Sequence, residues 1–286
     1  MSERRQMLTA LWFILPAVLV LAVVLAFPLV DVFRMAFISD GRVGMGGFQA
    51  LAADGAFWIA ARNTLIFTVA SVVGHLAIGL IVALLVNRRF RGQRFFRNAM
   101  LLPWMLPPAV VATTWAWLYH SPFGLVNPAL QRLGLLHEPI AWLSVLDFAL
   151  PAVIVANLWR GFPFISLLLL AGLQAIPGFL YEAASVDGAT GWRQFLHVTL
   201  PGLQRVILIA LALDLINTLK YFELIWIMTQ GGPAHATEVF ATLVYKYNFV
   251  LFRPNIAAAL AVLMFAVLLP ITYYYVRVGR GAETYV

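Results

Sequence analysis

The sequence contains no cysteine, and only 11% of its 286 residues are Asp, Glu, Lys or Arg. The missing cysteine excludes disulfides and thiolate metal sites, so redox chemistry says nothing about the compartment. Lysine is scarce as well, because Lys220 and Lys246 are the only two. The chain also lacks a G-x-x-x-x-G-K-[ST] phosphate loop, the usual sequence signature of bound ATP.

Apolar residues dominate instead. They make up 63% of the chain, with a mean hydropathy of +0.90, whereas about half of a soluble domain is apolar and about a quarter is charged. A helix that crosses a bilayer needs about 20 apolar residues. Runs of this kind cover residues 11–30, 65–86, 100–119, 148–172, 203–228 and 256–276. We therefore predict an all-α, polytopic membrane protein with six transmembrane helices in one domain, residues 1–286.

The basic residues predict how these spans are oriented. Arg4 and Arg5 precede the first apolar run, which resembles a secretory signal but is long enough to be a retained anchor. Of the nineteen basic residues, eleven fall on the side of the N-terminus and six on the other side. Because cytoplasmic loops are enriched in Lys and Arg, both termini are expected in the cytoplasm. The net charge of +7 is then an orientation signal, and no module for reading nucleic acid is present.

A polar segment at residues 178–201 separates the fourth and fifth apolar runs. Leu180–Val186 consists of good helix formers, and Gly188 can take the left-handed conformation that ends a helix. Thr190 can cap a second short helix that ends at Pro201. Two short helices at an angle, carrying acidic and aromatic side chains, predict a cytoplasmic knob for docking another protein. An ordinary loop between spans is the plainer interpretation of the local composition.

The spacing within this segment resembles the EAA loop of permease subunits from bacterial ATP-binding-cassette (ABC) importers, with Val198 where the family usually has Ile. Two other stretches are similar to carbohydrate permeases of the maltose and glycerol-phosphate type: Phe57 to Thr68, and Gly231-Gly232-Pro233 with Thr237-Glu238 after it. The resemblance assigns ATPase coupling to Glu182, Ala183, Ala184, Asp187, Gly188, Ala189, Phe195, Leu200 and Pro201.

This resemblance implies a set of partners. They are a second, unlike permease subunit, two cytoplasmic ATPase subunits, an extracytoplasmic solute-binding protein and a sugar or sugar derivative, in the inner membrane of a bacterium. ATP and Mg would be bound by the ATPase subunits, and this chain would bind no cofactor and catalyse no reaction. ATPase closure would move the coupling segment and switch the spans between two states.

Ionisable residues within the apolar runs mark a candidate solute path, since charges at membrane depth are costly and usually face a cavity or a partner. They are Arg160, Asp214, Lys220 and Glu223. Asp214, Thr218 and Tyr221 follow i, i+4, i+7 spacing and so share one helix face. In maltose-type permeases the matching positions line the sugar site. The resemblance carries that role to Asn157, Arg160, Gly161, Phe164, Asp214, Thr218 and Tyr221.

Structural roles remain open for the same residues. Lys220 and Glu223, three apart, could form an ion pair or a gate. Arg160 could bind carbonyls freed near Pro163, and Asp214 could bridge to the partner permease. His75 is expected to be a hydrogen-bonded core residue, because no second histidine stands at metal-binding spacing from it.

Three other function classes are compatible with a polytopic chain. An ion-coupled secondary transporter could use Asp214 or Glu223 as a protonation site. A membrane enzyme would need convergent catalytic groups, but Asp31, Asp147, Asp214 and Glu223 are scattered. A structural scaffold would not need charges within the bilayer. The residues leave open which sugar is carried and whether it is anionic.

Overall fold

A computed structural model describes residues 3–39 and 42–280, and the regular secondary structure of the described part is helical apart from one pair of short strands. Helices α1 (Glu3–Leu21) and α2 (Phe27–Phe37) are joined by a π-helical turn at Ala22–Ala26. Strands β1 (Ile38–Ser39) and β2 (Arg42–Val43) pair antiparallel, and α3 (Gly46–Ala53) follows.

The remaining helices follow in chain order. They are α4 (Gly55–Asn87), α5 (Gln93–Ala99), α6 (Leu102–Met105), α7 (Pro108–Leu118), α8 (Val126–Arg132), α9 (Leu146–Ala175), α10 (Gly178–Val186), α11 (Gly191–Gln194), α12 (Leu200–Leu219), α13 (Glu223–Thr229), α14 (Phe240–Tyr245) and α15 (Pro254–Arg280). Two more π-helical turns lie at Phe195–Thr199 and Lys246–Val250.

Within the described residues, five continuous helical stretches are long and apolar enough to cross a membrane, and a bent pair supplies a sixth crossing if it is counted as one span. The five are Leu11–Phe37, Gly55–Asn87, Leu146–Ala175, Gly191–Leu219 and Pro254–Arg277. The predicted all-helical membrane fold is therefore confirmed.

The third predicted span, residues 100–119, differs from a straight helix. The stretches Gln93–Met105 and Pro108–Leu118 meet at 92°. Leu106 and Pro107 between them are extended, with ψ of 138° and 139°. Each precedes a proline, and the proline ring disfavours the helical conformation of the residue before it. The tandem prolines therefore account for the bend.

The fifth predicted span, residues 203–228, begins earlier and ends sooner. A continuous helix runs from Gly191 to Leu219, and residues 220–222 separate it from α13. Pro201 lies inside this helix, so the predicted boundary at that residue is wrong. The π-helical turn Phe195–Thr199 directly precedes it and changes the hydrogen-bond register, so the missing N–H of Pro201 interrupts no regular ladder. Helix α8 ends at Arg132, before Gly134 at φ +69°.

Two compact units are found. The first comprises the residues up to Asp54 together with Val244–Ala266, and the second comprises Gly55–Leu243 with the residues from Val267 onward. In the first unit, Tyr247 Oη donates a hydrogen bond of 2.6 Å to Asp54, and a Cβ at Gly47 would lie 2.9 Å from the carbonyl oxygen of Asn255. This glycine therefore allows the close approach of two helices.

The second unit is built on the packing of α4 against α9, with α12 against both. Its buried residues form two apolar clusters. One includes Phe67, Val111, Val153 and Leu224, and the other includes Ala83, Ile165, Leu169 and Leu203. Small residues bring the two long helices together, since a Cβ at Gly79 would meet Ile165 at 2.9 Å. Burial of these clusters leaves polar side chains of α4, α9 and α12 facing a cavity.

Candidate functional site

A cavity of about 430 Å³ lies in the second unit and is lined by polar, charged and aromatic side chains. Its size is within the range of small-molecule sites in proteins. All seven residues of the predicted solute path line it, together with Lys220 and Glu223. The full lining is His75, Trp104, Pro108, Asn157, Arg160, Gly161, Phe164, Asp214, Asn217, Thr218, Lys220, Tyr221 and Glu223.

Helix α12 and the residues after it provide one wall. Asp214 and Thr218 are one turn apart, and the Thr218 hydroxyl donates to Asp214 Oδ1 at 3.4 Å. Tyr221 lies beyond the end of the helix at Leu219 yet still lines the cavity. The three residues predicted to share one face are thus brought together, although only two of them lie on a regular helix.

Helix α9 provides the opposite wall. The Asn157 side chain is held by a hydrogen bond of 2.9 Å from Nδ2 to Ser71 Oγ. The guanidinium of Arg160 lies 5.7 Å from the centroid of the Tyr221 ring, a cation–π arrangement. Phe164 stacks on Trp104 with centroids 5.6 Å apart. Aromatic faces and hydrogen-bonding groups are therefore combined on this wall.

His75 of α4 fixes the position of Asp214. Its Nδ1 lies 3.0 and 3.2 Å from the two carboxylate oxygens, and its Nε2 lies 3.0 Å from the carbonyl oxygen of Asn157. The ring sits where a Cβ at position 161 would be, so only glycine fits there. His75 is buried with both nitrogens hydrogen-bonded, as predicted, but it is also the partner of Asp214, which we did not predict.

Lys220 and Glu223 stand at the end of this wall. Both side chains are exposed to the cavity, and no ion pair joins them in the part of the chain that the structure describes. The helix ends between them, so their spacing is not that of neighbours on one helix face. The structure gives no support for their mutual neutralisation. Among residues 3–39 and 42–280, no group of His, Asp and Glu could hold a metal ion.

The segment 178–201 forms a separate feature. Glu182, Ala183 and Ala184 lie on α10, Asp187 ends that helix, and Gly188 follows at φ +75°. The Gln194 side chain joins the two short helices by donating to Ser185 Oγ at 2.9 Å and to the Ala189 carbonyl at 3.2 Å. These bonds hold the two short helices of the segment together.

The outer surface of the segment is both apolar and acidic. Val186 is 87% exposed and Trp192 is 67% exposed, and the side chains of Glu182 and Asp187 are exposed beside them. Trp192 stacks on Phe195 with centroids 5.4 Å apart. Exposed aromatic groups rimmed by charge are typical of surfaces that bind another protein. Leu200 and Pro201 belong to the long helix that follows.

The described residues contain apolar helices long enough to cross a membrane, and three helices of the second unit, α4, α9 and α12, line a polar cavity. This combination is typical of a membrane transport protein. Residues 75–281 match the family model "Binding-protein-dependent transport system inner membrane component", and the chain belongs to this family. It is thus a permease component of an ABC importer in the inner membrane. Such a component is non-catalytic, and ATP is handled by ATPase subunits.

Relatives with assigned substrates cover nearly the whole chain. The "Trehalose/maltose transport system permease protein MalF" of Thermococcus litoralis is 36% identical, covering 93% of this chain and 92% of the relative. The "Sulfoquinovosyl glycerol transport system permease protein SmoG" of Agrobacterium fabrum is 34% identical, covering 96% of this chain and 92% of the relative.

A solved structure is similar over a comparable length. It is a bacterial ABC transporter "involved in the import of the acidic polysaccharide alginate", with a TM-score of 0.85 and 26% identity, covering 97% of this chain and 96% of that chain. At this coverage the similarity extends to nearly all of the helices described above.

Proposed function

We propose that this chain is one of two unlike permease subunits of an ATP-driven carbohydrate importer, and that the cavity between α9 and α12 is its solute path. The observation that carries the proposal is convergence: residues separated by about sixty positions, such as Asn157 and Thr218, line one polar cavity. Hydroxyl-accepting groups and stacked aromatic rings suit a sugar. The named substrates of the two relatives are also carbohydrates or their derivatives.

Coupling to the ATPase subunits is proposed to enter through residues 178–201. The exposed Trp192 and the acidic Glu182 and Asp187 would face a groove on each ATPase. The helix that begins at Gly191 also carries Asp214 and Thr218 on the cavity wall. Both termini and this segment are proposed to be cytoplasmic, and the solute-binding protein would dock on the opposite face.

A charge reversal tests this coupling. Glu182→Lys would repel the ATPase surface that accepts the native carboxylate, and we expect ATP-dependent uptake to fall at least tenfold and ATPase subunits to be lost on purification. The amount of permease in the membrane should not change, because Glu182 is exposed and makes no ion pair among the described residues. Glu138→Lys, an equally exposed site on another connection, is the matched control. A Glu182→Lys complex that stays assembled and active would contradict the proposal.

The sequence alone also leaves open an ion-coupled secondary transporter, a class that the family match does not support. Uptake into vesicles distinguishes the two mechanisms. We expect uptake to require ATP and to survive an ionophore that collapses the proton gradient. Uptake abolished by the ionophore in the presence of ATP would favour the alternative.

A further inference from the structure

We infer that the solute is anionic, so that the substrate class is a sugar derivative with its carboxylate, sulfonate or phosphate group seated at Arg160. This inference rests on the proposed function, because it treats the cavity as the solute path. It follows from the net charge of the side chains around the cavity, taken group by group.

Asp214 and His75 together contribute no net charge. His75 Nε2 contacts the Asn157 carbonyl oxygen, which only accepts hydrogen bonds, so Nε2 carries a proton. His75 Nδ1 contacts the Asp214 carboxyl group, and two acceptors cannot bond to each other. One further proton must therefore lie between them. The pair is either imidazolium with carboxylate or neutral imidazole with carboxylic acid, and its sum is zero in both cases.

Arg160 is the charge that remains without a counterpart. A guanidinium stays protonated in proteins, and the group packed against it is the neutral ring of Tyr221. No carboxylate of the described residues forms an ion pair with it. Its Nε is buried without a hydrogen-bond partner, so one donor of the guanidinium beside the cavity is unused.

Lys220 and Glu223 do not change the result, because they carry opposite charges and both are exposed. The lining as a whole therefore has one excess positive charge, and that charge is half-buried on Arg160. Removing a charge from water is costly unless an opposite charge replaces the lost hydration. A guanidinium also matches the planar or tetrahedral oxygens of carboxylate, sulfonate and phosphate with two parallel bonds. An anionic solute would provide both the opposite charge and the acceptor oxygens.

The remaining groups are placed to bind the rest of a sugar. The acceptor oxygens of Asp214 and the amide of Asn157 can bond hydroxyl groups, and the stacked pair Trp104 and Phe164 presents an aromatic face. Asp214 is already neutralised by its contact with His75, so it offers a cationic amino sugar no unpaired carboxylate. The anionic class is therefore favoured over the cationic and the neutral ones.

Uptake from a mixture of three charge classes tests the inference. The full importer, with its second permease, its ATPase subunits and its solute-binding protein, is reconstituted in vesicles with ATP. Neutral sugars (glucose, maltose, trehalose), anionic derivatives (glucuronate, glucose 6-phosphate, 6-sulfoquinovose) and cationic glucosamine are offered together. Mass spectrometry of the vesicle contents identifies what enters. We expect an anionic member to enter at least tenfold faster than any neutral or cationic member.

Variants of Arg160 connect the result to this side chain. Arg160→Gln should lower anionic uptake at least tenfold, whereas Arg160→Lys, which keeps the charge, should retain a larger part of it. Arg62→Gln, at an exposed position of α4 that does not line the cavity, is the matched control and should leave uptake unchanged. Normal anionic uptake by Arg160→Gln would overturn the inference.

The outcomes also separate this inference from the proposed function. ATP-dependent entry of neutral or cationic sugars alone would overturn the charge assignment and leave the importer function intact. Entry of no sugar of any class with ATP would contradict the proposed function itself.

Discussion

Gly161 has only a hydrogen atom where every other residue places a Cβ, and the His75 ring occupies that space. The ring in turn contacts Asp214 and the Asn157 backbone. His75 therefore sets the direction of Asp214, another side chain that lines the proposed path. At the scale of single residues, the shape of the cavity depends on this close fit between α4, α9 and α12.

Gly161→Ala should disturb that fit. The added methyl group would push the His75 ring away, and overpacking of this kind costs about 1–3 kcal/mol. We expect solute-stimulated ATPase activity of the reconstituted complex to fall about tenfold, together with a lower thermal midpoint in detergent. Gly55→Ala is the control, because a Cβ there meets nothing within 4 Å. Unchanged stimulation in Gly161→Ala would show that the position of Asp214 does not matter for solute response.

The sequence was sufficient to nominate Arg160 and Asp214, because ionisable residues inside apolar runs stand out, and the family resemblance added Asn157. It was not sufficient for His75 as a partner of Asp214, since the two are 139 positions apart and their contact depends on how three helices pack. Trp104 and Asn217 were missed for the same reason. Nothing in the sequence around Trp104 or Asn217 distinguishes them from the other apolar or polar residues of a helix.

The helices also differ in whether the local sequence or the tertiary packing determines their boundaries. Hydropathy located the fourth and sixth spans within a few residues of the helices Leu146–Ala175 and Pro254–Arg277. It placed the start of the second span at residue 65 instead of Gly55, and it misplaced both ends of the fifth, since it reports only composition over about 20 positions. The bend in the third span had a local signal in Pro107-Pro108 that a hydropathy window averages out. The end of α12 at Leu219 had none, because neither Gly nor Pro occurs in residues 219–223. The end of α12 is instead explained by the tertiary packing of α13, whose apolar Leu224 and Ile225 are buried.

The turn of the coupling segment permits a matched test of one element. Gly188 and Gly191 both have open space where a Cβ would lie, but only Gly188 has a positive φ, of +75°. A non-glycine residue in the left-handed region costs about 1–2 kcal/mol. Gly188→Ala should therefore lower uptake and the coupling of ATPase activity to solute several-fold, whereas Gly191→Ala should not.

Asparagine tolerates the left-handed region better than alanine does, so Gly188→Asn should recover part of the loss. The readout is the ratio of uptake to ATP hydrolysis in vesicles. Equal effects of Gly188→Ala and Gly191→Ala would rule out backbone conformation as the cause.

The charge distribution predicts the orientation of the whole molecule in the membrane, and the absence of cysteine makes that orientation directly measurable. Single cysteines can be introduced without removing any native thiol. We expect Leu135→Cys, in an exposed outer connection, to react with a membrane-impermeant maleimide on intact cells. Arg91→Cys, in the arginine-rich connection between α4 and α5, should react only after permeabilisation. The reverse pattern would place both termini and the coupling segment outside.

The uninterrupted helix Gly191–Leu219 spans 29 residues, which corresponds to a length of about 43 Å at 1.5 Å per residue. A rod of that length amplifies small rotations. If the cytoplasmic end pivots by ~5°, the opposite end travels ~4 Å, more than the length of a hydrogen bond. The solute's ligands on α12 would then part from those on α9 without any helix having to unwind.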